Sequence, residues 1–397
     1  MREPRFPQTG SRPGPNGQPA VPPKLALRAP RAVPPSAIVT LAQLGWNEPL
    51  AAAFAPHAAL GREPARVTLE LKGFAEVTGE AGARLGECTG RFVHDAAAPA
   101  DFPAMGDWVA VTPRDGDGTR ADIHAVLPRR TKFSRQAAGE QAFEQVVAAN
   151  VDTVFLVSAL DANFSLRRIE RYLAAAHASG AQPVVLLNKA DVCAEPDVRR
   201  AEVEAIATGV PVLVVSAQTR RGLKALSPWL APGATVAFLG PSGVGKSTLI
   251  NRLLGERAQL TQEVREADAK GRHTTTQREL LVTPGGALVI DTPGMRELAP
   301  WVPPARLAAA FADVAALAAQ CRFRDCSHIT EPGCAVAAAL ADGRLDPARW
   351  QSYERLRRES AYEVRRTDPR AARDTKSAWK KLTKQLRQRV REKSADE

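Results

Sequence analysis

Four short segments occur in this chain in an order that fixes how it can fold. Asn188-Lys189-Ala190-Asp191 comes first and Ser216-Ala217 second. Gly240-Pro241-Ser242-Gly243-Val244-Gly245-Lys246-Ser247 is third, and Asp291-Thr292-Pro293-Gly294 is last. The third is a phosphate loop and the fourth a DxxG element. The first two match the NKxD and SA segments that normally follow them. The parts that usually end the chain therefore precede the parts that usually begin it, and the domain reads as circularly permuted. Permutation keeps the geometry of a site but moves the chain ends, so whatever follows Gly294 leads straight into another module.

The context of the segments agrees with this reading. Between residues 151 and 294, apolar runs at 153–160, 183–187, 211–215, 235–239 and 287–290 alternate with helical stretches at 166–179 and 195–208. That is the pattern of a parallel sheet covered by helices. Each segment falls just past the C-terminal end of one run, where open α/β sheets bind ligands.

The residue types then suggest the chemistry. Residues 240–247 follow one apolar run and open the helical stretch 247–254, with Thr248 extending the phosphate-binding set. The glycines allow backbone N–H groups to turn around phosphate oxygens at the positive end of a helix dipole. Lys246 would reach the β- and γ-phosphates, and Ser247 would place its hydroxyl on Mg²⁺. Asp191 can accept from both N1–H and N2–H₂ of guanine, a pairing that adenine does not offer. Alone, residues 188–191 could be an ordinary strand-to-helix turn; with Ser216 and Ala217 after another strand they read as a base site. Asp291 is placed to hold Mg²⁺ through water, and Gly294 can give the γ-phosphate a backbone N–H. Met295 follows, where related enzymes carry a glutamine that orients the attacking water. Methionine cannot do this. Gly271-Arg272-His273-Thr274-Thr275-Thr276 lies where switch I belongs. Thr275 is the candidate to complete the Mg²⁺ shell, with its two neighbours as alternatives. His273 is a candidate to position water, or else a bystander in its loop.

Outside this region the texture changes twice. Residues 66–127 carry period-two apolar positions at Val67, Leu69, Leu71, Phe92, Val109, Val111 and Ile123, separated by turn residues. They predict a small barrel, either OB-type or SH3-like. Downstream, Cys321, Cys326, His328 and Cys334 form C-x4-C-x-H-x5-C. Three thiolates and an imidazole are a closed structural zinc set, whereas a redox pair of cysteines would leave His328 without a part. Cys88 and Cys193 read as small apolar fillers.

Residues 1–38 are rich in Pro, Gly and Arg, and too poor in apolar side chains to offset their ordering entropy. They are expected to form a disordered basic tail. Near the other end, Trp379, Leu382, Leu386 and Val390 recur at helical spacing among Lys and Arg, giving a basic amphipathic helix. The net charge of +11 favours a polyanionic partner, although arginine-rich surfaces alone would also produce it. No apolar run has the length of a membrane helix and the N-terminus has no hydrophobic leader, so a cytoplasmic protein is expected.

With these residues in view, the chain resembles the RsgA (YjeQ-like) family of small-ribosomal-subunit-dependent GTPases. The resemblance rests on NKAD, SA, GPSGVGKST, GRHTTT and DTPG in that order, with a small barrel upstream and the Cys/His cluster downstream. It implies an OB-type β-barrel, a circularly permuted α/β P-loop GTPase and an α-helical zinc-binding domain. It also implies action on the 30S subunit and its 16S rRNA; the expected cofactors are one structural Zn²⁺ and Mg²⁺ with GTP, and nothing in the sequence demands more than a monomer. In that family the subunit stimulates GTP hydrolysis during late maturation, and a switch-I histidine, here His273, is proposed to act. The expected boundaries are a tail at 1–38, a lead segment at 39–64, the barrel at 65–131, the GTPase at 132–300 and the zinc module with its basic helix at 301–397. Two rivals are a permuted GTPase serving the large subunit and an RNA-binding scaffold whose nucleotide site has decayed.

Overall fold

The structure, a computed structural model, describes residues 40–71, 73–114, 116, 118–136, 144–255, 278–291, 304–329 and 331–367. The expected tail, the segment 271–276 with His273 and Thr275, residues 292–295 with Gly294, and the basic stretch from Trp379 to Val390 lie outside the described residues.

Helix α1 (Glu48–Ala58) starts at Asn47, whose side chain accepts from Leu50 N, with a proline in the first turn. Five strands follow: β1 (Glu63–Leu71), β2 (Phe74–Gly79), β3 (Gly82–Cys88), β4 (Trp108–Pro113) and β5 (Arg120–Val126). Their neighbours run β1-β2-β3-β5-β4, and β4 returns to pair with β1. This closed five-stranded order is OB-type, which decides between the two barrels that periodicity left open. Ala65, Val67, Ala75, Val77, Val109, Val111, Ala121 and Ile123 fill the interior. At Gly86 a Cβ would stand 2.9 Å from Ile123 Cδ1, so the glycine makes room for the isoleucine.

Three expected barrel positions are corrected. Phe92 lies on a short helix, α2 (Gly90–Asp95), because Thr89 Oγ1 accepts from Phe92 N and caps a turn there. Its ring packs edge-on against Phe102. Leu69 and Leu71 are only half-buried, since a register shift between Val67 and Leu69 ends the alternation that aims Ala65 and Val67 inward.

A hairpin of β6 (Lys132–Gln136) and β7 (Glu144–Ala149) leads to the α/β domain. This comprises β8 (Thr153–Ala159), α3 (Leu166–Ser179), β9 (Gln182–Asn188), α4 (Pro196–Ile206) and β10 (Val212–Val214). After them come β11 (Thr235–Leu239), α5 (Lys246–Leu254), β12 (Arg278–Val282) and β13 (Leu288–Asp291). The sheet order is β10-β9-β8-β11-β13-β12, parallel except for β12. Counted from β11 as the first strand, that order becomes 6-5-4-1-3-2, so permutation has changed only where the chain is cut. The sheet does not end at β12, which pairs antiparallel with β1 of the barrel through Leu69↔Glu279 and Glu70↔Arg278.

Where barrel and sheet meet, Arg66 is buried, and among the described residues no carboxylate bonds to its guanidinium. Its guanidinium donates to the carbonyls of Leu44, Gly106 and Asn150 and stacks over Trp108. Burial pulls its pKa down to about 10, still far above neutrality.

The C-terminal helices are α6 (Pro304–Ala310), α7 (Ala312–Ala318), α8 (Ala335–Ala341) and α9 (Pro347–Thr367). Leu307, Phe311, Val314, Val336 and Leu356 form their core, and Ala174 of α3 belongs to the same cluster. Among the described residues, no helix is long and apolar enough to cross a membrane.

Candidate functional site

Strand β11 is wholly buried and delivers the chain to Gly240, where a Cβ would lie 2.3 Å from Val157 O. A side chain there would push the loop off the neighbouring strand. Gly243 and Gly245 both hold positive φ, at 78° and 95°, and the chain enters α5 at Lys246. Two positive-φ glycines thus lead into the N-terminal end of a nine-residue helix, an arrangement suited to cradling phosphate oxygens. Lys246 Nζ donates to Gly240 O at 2.6 Å and Pro241 O at 2.5 Å, which keeps its ammonium at the loop. Ser247, at the helix start, is exposed.

Asn188 ties three of the four segments together. Its Nδ2 donates to Val244 O at 2.8 Å in the phosphate loop, and its Oδ1 accepts from Ala217 N at 2.9 Å. This closeness explains Gly245 further, because a Cβ there would stand 2.3 Å from Asn188 Nδ2. Ser216 Oγ donates to Asp191 Oδ1 at 2.5 Å and accepts from Thr219 N at 3.0 Å. The Asp191 carboxylate thus has a fixed direction while standing exposed, as a group that accepts two adjacent N–H donors must. Ala190 is buried, and its N–H reaches Val215 O. Asp291 is the last residue of β13 and lies opposite Glu279 of β12.

Sequence reading missed two residues here. Arg252 of α5 donates to Ala217 O at 3.0 Å, joining the phosphate-loop helix to the SA segment. Asp161, just past β8, accepts from Lys189 Nζ at 2.8 Å. Lys189 and the N–H of Asn163 hold the Asp161 carboxyl below its ordinary value. Its signal was its place, past the end of an apolar run like the other segments.

The second site is the cysteine cluster. The ligand atoms of Cys321, Cys326, His328 and Cys334 all lie within 4.8 Å of one another. Cys321 Sγ and Cys334 Sγ are 4.0 Å apart, and each is 3.5 Å from His328 Nδ1. A tetrahedral ion with bonds of about 2.3 Å to sulfur needs edges of about 3.8 Å, so the donor set fits one zinc ion. The loop is shaped for it: His328 adopts φ 61°, and Glu331 accepts from Ser327 N at 2.9 Å and Ile329 N at 3.1 Å. The hydrogen bonds from Ser327, more than any others, bring the Glu331 carboxyl down to about 2. Burial raises the Cys321 thiol, but the N–H groups of Val336 and Ala335 at the start of α8, together with Cys334 and Cys326, more than offset it, and the thiol sits below its ordinary value.

A protein-family model described as RsgA GTPase matches residues 126–301, the stretch that contains all four segments. The small ribosomal subunit biogenesis GTPase RsgA of Opitutus terrae is 56% identical over 363 residues, covering 89% of this chain and 98% of that protein. The protein of the same description from Streptomyces coelicolor is 43% identical over 344 residues, covering 86% and 92%. The crystal structure of YjeQ from Thermotoga maritima matches with a TM-score of 0.56 at 30% identity, covering 75% of this chain and 98% of that one. The crystal structure of YloQ, a circularly permuted GTPase, has a TM-score of 0.51 at 23% identity over 75% of this chain and 95% of that one, and supports the fold alone.

Proposed function

The chain belongs to the RsgA family of small ribosomal subunit biogenesis GTPases, and from that premise we propose that it binds the 30S subunit and hydrolyses GTP there late in subunit maturation. It is a GTPase that acts in ribosome biogenesis. The finer reading is that the GTP-bound form docks through barrel and zinc module, contacts 16S rRNA, is stimulated by the subunit, and leaves after hydrolysis. In this reading Asn188, Lys189, Ala190 and Asp191 take the guanine with Ser216 and Ala217, and residues 240–248 take the phosphates. Ser247 and Asp291 hold Mg²⁺, Gly294 meets the γ-phosphate, and Thr275 and His273 act from switch I.

One observation carries the reading. Asn188 bonds to both the phosphate loop and the SA segment, so three pieces scattered in a permuted sequence form one site. Mg²⁺ is the usual companion of GTP, and it would supply the positive charge that draws together the β- and γ-phosphate oxygens. Cys321, Cys326, His328 and Cys334 would hold one structural Zn²⁺.

The reading of γ-phosphate as a switch also has support in the sheet. Across β12, Glu279 pairs with Asp291 on one side and with Leu69 of the barrel on the other. A change at Asp291 that depends on the γ-phosphate would therefore bear on a strand that the barrel shares.

GTP turnover should be measured with purified 30S subunits, with 50S subunits and alone. Strong stimulation by 30S only is the expected result. Stimulation by 50S, or none, would show that the client has been named wrongly.

A further inference from the structure

We propose that Asp161 is a positioning residue for the nucleotide, holding the Lys189 side chain in one conformation so that base binding does not have to order it. This rests on the reading of residues 188–191 as the base-binding segment.

Lys189 lies between Asn188, which is fixed to the phosphate loop, and Asp191, which accepts from Ser216 Oγ. Its φ is 66°, a left-handed conformation that a long side chain holds only where its surroundings over-determine it. Left alone, a four-carbon stem would sample many rotamers, and binding would have to freeze them. Here Nζ is anchored at 2.8 Å by Asp161 Oδ2. Asp161 is itself fixed, because its Oδ1 accepts from Asn163 N at 2.9 Å and its carbonyl from Phe164 N at 2.9 Å. Both residues sit at the carboxyl ends of neighbouring parallel strands, where Ala159 pairs with Asn188 and Leu160 N donates to Asn188 O.

The plainer reading is a surface ion pair. The two side chains are 35% and 24% exposed, and pairs of that kind add little to folding stability. The two readings differ in their readout. A positioning role moves nucleotide affinity while hardly moving the unfolding temperature.

The test uses the full chain and measures dissociation constants for GDP and a non-hydrolysable GTP analogue. Asp161→Asn should weaken both by the same factor, roughly five- to twentyfold, because the pair sits beside the base and not at the γ-phosphate. Lys189→Met keeps the apolar stem but has no ammonium to anchor. Adding Asp161→Asn to it should change affinity by less than about twofold. Asp161→Glu, which retains the charge, should bind within about threefold of the wild type. The inference is overturned if Asp161→Asn binds like the wild type, or if it weakens the Lys189→Met protein as much as it weakens the wild type. If Asp161→Asn does not fold, a greater than twentyfold loss in Asp161→Glu at an unchanged unfolding temperature overturns it instead, and near-wild-type binding supports it. Lys246→Ala separates the two layers. It should lose well over tenfold in affinity, and if it does not, the reading of the nucleotide site fails whatever Asp161 does.

Discussion

Arg349 of α9 donates to Glu170 of α3 at 2.9 Å, and both residues are buried where the C-terminal helices meet the α/β domain. The same guanidinium spans Asp313 with two bonds, at 2.9 and 3.1 Å, reaches Ala310 O, and lies over the Phe311 ring at 4.2 Å. One side chain thus clamps α3, α6, α7 and α9.

Removing that arginine should cost far more than removing the pair. Arg349→Ala leaves Glu170 as a buried charge without its partner, and a loss of about 3–5 kcal/mol is expected. The double substitution Arg349→Met, Glu170→Met should recover most of it, since apolar side chains of similar size need no counter-charge. Denaturant unfolding of the three variants checks this, and a double variant no more stable than Arg349→Ala would refute it.

Asp313 makes the junction pH-dependent in a defined direction. Burial raises its carboxyl, yet the hydrogen bonds and positive charge of Arg349, together with the backbone N–H groups of Val314 and Asp313, outweigh burial and hold it below its ordinary value. A carboxyl with a depressed native value contributes fully above its unfolded value, and that contribution disappears as pH falls through the native one. The stability gap between the wild type and Asp313→Asn should therefore be flat above about pH 5 and close below 3.8. Taking the difference between two proteins cancels any loss of metal in acid. A gap that grows toward low pH would reverse the assignment.

Gly245 should tolerate no side chain. Alanine there would hold φ 95° and place its Cβ 2.3 Å from Asn188 Nδ2. The strain costs about 1–3 kcal/mol. The larger effect is on Asn188, whose displacement loosens the phosphate loop from the base segment. GDP affinity of Gly245→Ala should fall by roughly tenfold or more, whereas Gly209→Ala, an open positive-φ site, should bind GDP normally. Fluorescent-nucleotide titration distinguishes the two.

The cysteine cluster should hold about one zinc per chain, measurable by elemental analysis, and Cys334→Ser should lose it. Cys334 also caps α8, accepting from Ala337 N at 3.3 Å, and sits in the core of the C-terminal helices. Metal loss is therefore expected to lower helix content by circular dichroism. GDP binding should persist, because the nucleotide segments lie on other elements. A metal-free chain with unchanged helix content would argue against a structural role.

The sequence by itself determined the α/β texture, the places of its four motif segments just past strand ends and the makeup of the cysteine cluster. Local chemistry decides these: apolar runs of strand length, glycines where φ is positive, and ligand types at close spacing. Phe92 shows the limit of that reading, since its apolar character suited a strand but the Thr89 cap put it in a helix. Periodicity also left the barrel type open until the pairing of β4 with β1 closed it.

Only the tertiary structure decided what those pieces touch. Arg66 is buried because three carbonyls from separate parts of the chain converge on it. Asp161 and Lys189 are 28 positions apart and meet because parallel pairing brings two strand ends together. Glu170 and Arg349 lie 179 positions apart and meet because α3 is shared between two cores. Such contacts depend on long-range closure, which no local pattern of residues encodes.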